Sequence, residues 1–592
     1  MIWQPVDIPA LVAFLSHPVC PLQGYARRKL AAKLSEKPGI GGAHWQKALN
    51  EIAAHYKDKT PEVLDNIRFW IECERFDPAQ GAPLDTISTR IARLAGFFQT
   101  RLKDTDSINA LSAKAAHAQC IDVLASLGTQ GTRLTPVQLS KLLAQATARG
   151  SHNPRLYPEA GACLAIDDPA AAIAPVDEVI WWQLAMPSLP ANPPWSSTEL
   201  KQLAAAGIAI PAMDGQLDRL ATHWLRPILA ARQRLTLILP PEGSEVHPLW
   251  QMIATLVKDI PVASIEHGLV DTDLPTVQPR PLPARRRWWH LNPGIIARRE
   301  KESHSSISIL LNNPYQWVLH YSAALNLSQT LDVADGPRLY GLIAHRTVER
   351  FFTETPWQTL TDQEIADWFE STFPLIVDEE GAVLRLPGQR AELARCHFYI
   401  RRALLAIVQQ CRAAGIVEVA SEAHLSGEFA GGKIGGSADL IFAREDGKQA
   451  IVDMKWFGEN RFPDKLKKNT HLQLAIYAEL LRQKTQAWPA VGYFILNTAR
   501  LFAHDNYLMP SAVAVADKTG NQTAHLWQQF NATWRWRDAQ LQQGAIEVVM
   551  PGTEFDDASE RPEDCMPAGK KQETENMAYN DFTALAGWEA GR

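Results

Sequence analysis

Apolar residues recur at three- and four-residue spacing early in the chain, form short continuous runs further on, and mix both patterns in the second half. Stretches 87–103 and 108–127 carry the helical spacing and predict amphipathic helices. Thr135-Pro136 predicts a helix start, with Thr135 as the cap and Pro136 in the first turn. No repeat of about 20 to 50 residues is evident, so residues 1–165 read as a mainly helical region. From 166 to 278 the pattern changes. Val176–Trp182 and Leu235–Leu239 predict buried strands with helices between them, an α/β arrangement. Proline and arginine crowd residues 271–302, of which 279–302 read as a basic linker. Residues 303–550 form the largest segment. Within it, 435–443 and 449–454 predict two short strands around the turn 444–448, and 469–483 predicts an amphipathic helix. Residues 551–592 are polar and predict a flexible tail.

The chemistry sits in that largest segment. Asp439 follows Gly435-Gly436-Ser437-Ala438, and Asp453-Met454-Lys455 ends the next apolar run. Two carboxylates and one ammonium suit metal-assisted cleavage of a phosphodiester, because a divalent cation needs hard oxygen ligands. A neighbouring lysine can handle the water and stabilise developing negative charge. Alternation along a strand puts Asp453 and Lys455 on one face, which Asp439 on the adjoining strand can share. Gln473 and Tyr477 stand four apart on the following helix and line one side of it. Each piece alone has an ordinary explanation: an Asp-x-Lys triplet is commonly a solvated strand end. Their joint occurrence carries the reading. Glu422, in Val419-Ala420-Ser421-Glu422, is either a further metal-side carboxylate or the polar end of a strand.

These motifs resemble the PD-(D/E)XK nuclease superfamily, most closely its RecB-like branch. The family's G-x-x-D strand falls on Asp439, its D-x-K strand on Asp453 and Lys455, and its Q-x-x-x-Y helix on Gln473 and Tyr477. Upstream, Gly341-Leu342-Ile343-Ala344-His345 is similar to the helix that carries a metal-binding histidine. Asn313-Pro314-Tyr315 is similar to the segment that opens such domains, often Cys-Pro-Tyr. The resemblance spans about residues 303–500. It implies a restriction-endonuclease-like nuclease domain in which His345, Asp439, Asp453 and the Met454 carbonyl hold Mg2+ or Mn2+. Lys455 would serve the nucleophile, with Gln473 and Tyr477 in support. Relatives with an iron–sulfur cluster hold it with four cysteines. Asn313 replaces the first and only Cys565 follows Tyr477, so no cluster is expected.

A second resemblance covers Asp177–Leu184, Pro190 and Trp195–Leu200 with Gly207, similar to the helicase-type domains of AddB and RecC proteins. It implies a degenerate helicase-like α/β domain, with residues 1–165 as a helicase-like remnant. No G-x-x-x-x-G-K-[ST] loop is present to cradle triphosphate, so ATP is not expected as a cofactor.

Net charge over the 592 residues is −6, which argues against a nucleic-acid-coated surface but leaves room for a local basic channel. Two clusters qualify as nucleic-acid-binding candidates. One is Arg285, Arg286 and Arg287 with Trp288 and Trp289, within a run that also holds Arg280, Arg298, Arg299 and Lys301. The other is Lys465, Lys467 and Lys468, close to Arg461. A solvated linker or helix face explains each equally well. Seven scattered cysteines without a C-x-x-C pair suggest neither zinc nor a disulfide framework, and agree with a reducing cytoplasm. No apolar run approaches the roughly 18 residues of a membrane span.

The sequence thus predicts an α/β multidomain, metal-dependent deoxyribonuclease. It is expected to act on DNA beside a separate helicase, in repair, recombination or antiviral defence. The alternative is a non-catalytic, RecC-like scaffold that guides DNA for a partner enzyme; a scaffold has no need to keep every motif residue.

Overall fold

The computed structural model describes residues 2–102, 108–128, 131–148, 163–190, 195–265, 282–325, 331–515, 522–549, 561–566 and 582–587. Arg280, much of the 271–302 stretch and most of the tail lie outside them. The chain forms two compact units, residues 1–152 with 281–592, and residues 153–280.

The N-terminal part of the first unit is helical. Its helices are α1 (Ile8–Ser16), α2 (Gly24–Glu36), α3 (Ala43–Tyr56), α4 (Thr60–Trp70), α5 (Leu84–Arg101), α6 (Ile108–Leu127) and α7 (Pro136–Thr147). A capping box starts α7: the Gln138 amide donates to Thr135 Oγ1, and the Thr135 amide donates to Gln138 Oε1 at 2.9 Å. A short antiparallel pair joins β1 (Ala82–Pro83), just before α5, to β2 (Arg133–Leu134), just before α7. Residues of α1 to α4 share an apolar core that also takes in the fully buried Ala382, far along the chain. These helices therefore pack as one body with the C-terminal half.

The second unit holds β3 (Val176–Trp181), α8 (Ser197–Ala205), α9 (Met213–Ala230), β4 (Ala231–Leu237) and α10 (Pro248–Leu256). β3 and β4 pair in parallel, as expected of an α/β segment. The expected burial is not found: Ile180 is 58% exposed and Trp182 67%. A two-stranded sheet has no inner strand, so its apolar faces need covering from elsewhere.

The C-terminal half is built on a mixed sheet with helices on both faces. Its strands are β5 (Trp288–His290), β6 (Lys301–Glu302), β7 (Ile416–Phe429), β8 (Gly432–Arg444), β9 (Gln449–Lys455), β10 (Ala490–Ile495), β11 (Arg500–Ala503), β12 (Val513–Ala514) and β13 (Ala545–Glu547). The sheet runs β12-β11-β10-β9-β8-β6, and β7 pairs antiparallel with β8 along its other edge. β9 and β10 are parallel, so the chain between them must cross over a face of the sheet. Its helices are α11 (His304–Asn312), α12 (Pro314–Trp317), α13 (Gly336–Glu354), α14 (Asp362–Glu380), α15 (Arg390–Ala413), α16 (Arg461–Lys467), α17 (Leu472–Thr485) and α18 (Gln522–Gln542). Leu440, Phe442, Val452 and Met454 face α13, α14 and α15. Ala438, Ile441 and Ile451 face α11, α17 and α18.

Two expectations are corrected. The basic linker contains β5, which pairs antiparallel with β13. Trp289 packs edge-on against Tyr315 at 5.7 Å, and Arg287 Nε donates to Glu547 Oε1 at 3.3 Å. The described parts of the tail are docked rather than free. Cys565, Phe582 and Ala586 are buried, and the Met566 amide donates to Thr533 Oγ1 at 2.8 Å. Both segments carry apolar side chains among their polar ones, which average composition hides.

Candidate active site

β8 and β9 run antiparallel, so the end of β9 (Asp453–Lys455) lies beside the middle of β8 at Asp439, and both meet α13 there. Asp439 Oδ2 accepts the Met454 amide at 2.7 Å, which ties the two strands together. His345, on α13, reaches across to both: Nε2 lies 3.3 Å from the Met454 carbonyl and 3.7 Å from Asp439 Oδ2. Its Nδ1 lies 3.2 Å from Glu422 Oε1 on β7. His345, Glu422 and Asp439 each offer a ligand atom, all within 4.8 Å of one another.

Asp453 is 1% exposed. Lys455 Nζ stands 2.5 Å from Asp453 Oδ2, but off the hydrogen-bonding direction, so neither carboxylate oxygen accepts a hydrogen bond. Burial pushes the Asp453 carboxyl up to about 6, and the neighbouring Asp439 adds to this while Lys455 opposes it. For His345 burial acts downward, but the Glu422 bond and the charges of Asp439 and Glu422 outweigh it and hold the imidazole above its ordinary value. Such a cluster is short of positive charge. A buried carboxylate whose one cationic partner is the Lys455 ammonium, beside a His–Glu–Asp triad of hard and borderline ligands, fits a divalent cation.

Local backbone geometry produces this convergence. Ala438 and Leu440, two apart on β8, pack into opposite cores, so the strand's alternation breaks at Asp439. Directly across, Glu422 has φ +47°, a conformation that glutamate seldom adopts. Strain of this kind costs about 1–3 kcal/mol and persists only where the surroundings fix it. This settles the placement that the sequence left open: Glu422 stands in the cluster and not at a strand end. Its identity as a glutamate gave no sign of the left-handed backbone.

Gln473 and Tyr477 lie on α17. Tyr477 is buried, and its ring lies against Gly436: a Cβ there would come 2.9 Å from Cε1 and 3.0 Å from the phenol oxygen. Burial pushes the phenol up, while Gln473 acts in the opposite direction. α16 places Lys465 near Lys455, their ammonium groups 5.4 and 5.9 Å from the Phe462 ring centre. Lys468 pairs with Asp464 at 2.9 Å and Lys467 faces solvent. His304, unremarked in the sequence, stands close enough to these lysines to feel both: burial and their charges push its imidazole down to about 4. Arg285, Arg286, Arg287, Trp288 and Trp289 are not among the residues lining the cleft over the triad. Arg285 Nε donates to the Gly587 carbonyl at 3.1 Å, in the docked part of the tail.

Residues 301–559 match the family model of the PD-(D/E)XK nuclease superfamily. The match begins at β6 and takes in the sheet and every residue of the cluster. No curated protein sequence matches the chain. No described helix is long and apolar enough to cross a membrane.

Proposed function

We propose that the cluster is the active site of a deoxyribonuclease that uses Mg2+ or Mn2+ to hydrolyse phosphodiester bonds. One observation carries this reading. The His345–Glu422–Asp439 triad adjoins the buried carboxylate of Asp453 and its ion-pair partner Lys455, inside the segment that matches a nuclease superfamily. Asp439, Asp453, His345 and the Met454 carbonyl would hold the cation, with Glu422 beside them. Once bound, it supplies Lewis acidity to the phosphate and lowers the pKa of a water. Lys455 orients the attacking water and donates to the oxygen on which charge develops. Its ion pair with Asp453 holds the ammonium at the strand end. Gln473 and Tyr477 support that end of the sheet from α17.

The finer reading is a cytoplasmic RecB-like nuclease that works beside a separate helicase, in DNA repair, recombination or defence against foreign DNA. The unit of residues 153–280 then guides DNA as an AddB- or RecC-like helicase remnant and does not hydrolyse ATP. The missing phosphate loop supports this part.

The test is incubation with labelled linear, circular and single-stranded DNA in magnesium, manganese or chelator. Cleavage is expected with metal and none with chelator. Asp453→Ala and Lys455→Ala should each lose several orders of magnitude, since the parts act as one unit. Retention of more than about a tenth of wild-type rate by both variants overturns the assignment.

A further inference from the structure

A cleft of about 650 Å³ opens over the triad, and part of its lining comes from outside the family match. Lys37, in the loop after α2, lines it together with Arg338, His345, Glu422 and Lys455. Backbone bonds fasten that loop down. The Ala382 amide donates to the Pro38 carbonyl at 2.7 Å, Ile40 to Asp378 at 3.1 Å and Ala334 to Ser35 at 2.9 Å. Gly39 lies directly on Glu379, where a Cβ would meet the carbonyl carbon at 2.2 Å. Lys37 is held by Glu380 at 2.9 Å.

The cations of the cleft are mostly matched already. Arg346 pairs with Glu349 at 2.9 Å, Lys455 with Asp453 and Lys37 with Glu380. Arg338 is exposed and makes no ion pair or hydrogen bond among the described residues. It lies two turns before His345 on the same helix face, about 10 Å along the axis, roughly the rise of three nucleotides. A polyanion that approaches three site carboxylates needs cations on the walls, and an arginine fork fits a phosphate.

We propose that Arg338, with Lys37 beside it, is a phosphate-binding wall that holds the substrate backbone a few nucleotides from the scissile bond. The N-terminal helices then form part of the substrate site. The inference rests on the nuclease reading above.

Binding and cleavage of labelled 20-mers across a salt series test it, in wild type, Arg338→Ala, Arg338→Lys and the surface control Arg68→Ala. Arg338→Ala should lower kcat/KM about tenfold, mainly through KM, and flatten the salt slope by roughly 0.7–0.9. Arg338→Lys should restore the slope, and the penalty should shrink as the substrate is shortened to a dinucleotide. Lys37→Ala would strand buried Glu380, so it is compared with Lys37→Ala/Glu380→Gln. If the double variant recovers both thermal stability and full binding, Lys37 is structural and its part in the wall falls. Wild-type cleavage with an unchanged Arg338→Ala slope sinks the wall alone. A wild type that neither binds nor cuts DNA sinks the nuclease reading and the wall together.

Discussion

Asp453 shows at the scale of one residue how a site is held ready at a cost to the fold. Its carboxyl is pushed up to about 6, against an ordinary 3.8, by burial first and Asp439 second. The sign follows: the unfolded chain releases this proton at lower pH than the folded one. Stability is therefore full below about 4, falls as pH rises towards 6, and stays reduced above it. Asp453→Asn should thus stabilise the metal-free protein at pH 7.5 by an amount on the order of 1–3 kcal/mol and raise its melting temperature accordingly. It should also abolish cleavage and the stabilisation that added Mg2+ gives the wild type. Calorimetry with and without metal checks both, and a variant less stable than wild type at pH 7.5 but not at pH 4 contradicts the account. His345 adds a second pH term. A protonated imidazole cannot ligate, and Glu422 and Asp439 favour the proton, so metal and proton compete for the same nitrogen. That Asp439, Asp453 and Lys455 converge was legible from strand alternation, and that His345 joins them only from the family resemblance. His304 was not, because its neighbours Lys455 and Lys465 are distant in sequence.

Element type and bounds follow the local apolar runs closely, even where both faces are buried. The expected strands 435–443 and 449–454 appear as Gly432–Arg444 and Gln449–Lys455, and the 469–483 helix as Leu472–Thr485. The first two turns of that helix are buried on nearly every side, which an amphipathic reading does not anticipate. The basic 279–302 stretch was misread for a related reason. A strand of three residues leaves almost no periodicity, and its partner β13 lies some 250 residues later, so nothing local marks the pair. Glycines were more telling. Gly436 is where the Tyr477 ring rests on β8, and no side chain fits without moving that ring. Gly436→Val should displace Tyr477, lower cleavage at least about tenfold and cost about 1–3 kcal/mol by overpacking. Comparing kcat with the unfolding midpoint separates the two effects. Wild-type kcat in a folded Gly436→Val protein would show that the tyrosine does not support the site.

For the whole molecule, the resemblance to helicase-type domains implied that residues 1–165 and 166–278 belong together, apart from the nuclease. The structure divides the chain differently, because the N-terminal helices share a core with the C-terminal half and residues 153–280 stand as their own unit. Apolar spacing could not reveal this, since a helix packed on its own region and one packed on a distant region carry the same apolar stripe. The family match at 301–559 is therefore smaller than the folding unit that contains it. A chain of residues 281–592 would lose the backbone bonds from Ser35, Pro38 and Ile40 and expose the surface around Ala382. Freed apolar surface of this kind promotes aggregation. That chain should unfold at lower temperature than the full protein and bind a hydrophobic dye in its native state. Replacing residues 153–280 by a long flexible linker should leave a single cooperative transition close to that of the first unit in the intact chain. Scanning calorimetry of the three chains is the measurement. If 281–592 alone melts as high as the full chain and stays monomeric, the N-terminal helices are an appendage and not part of the nuclease body.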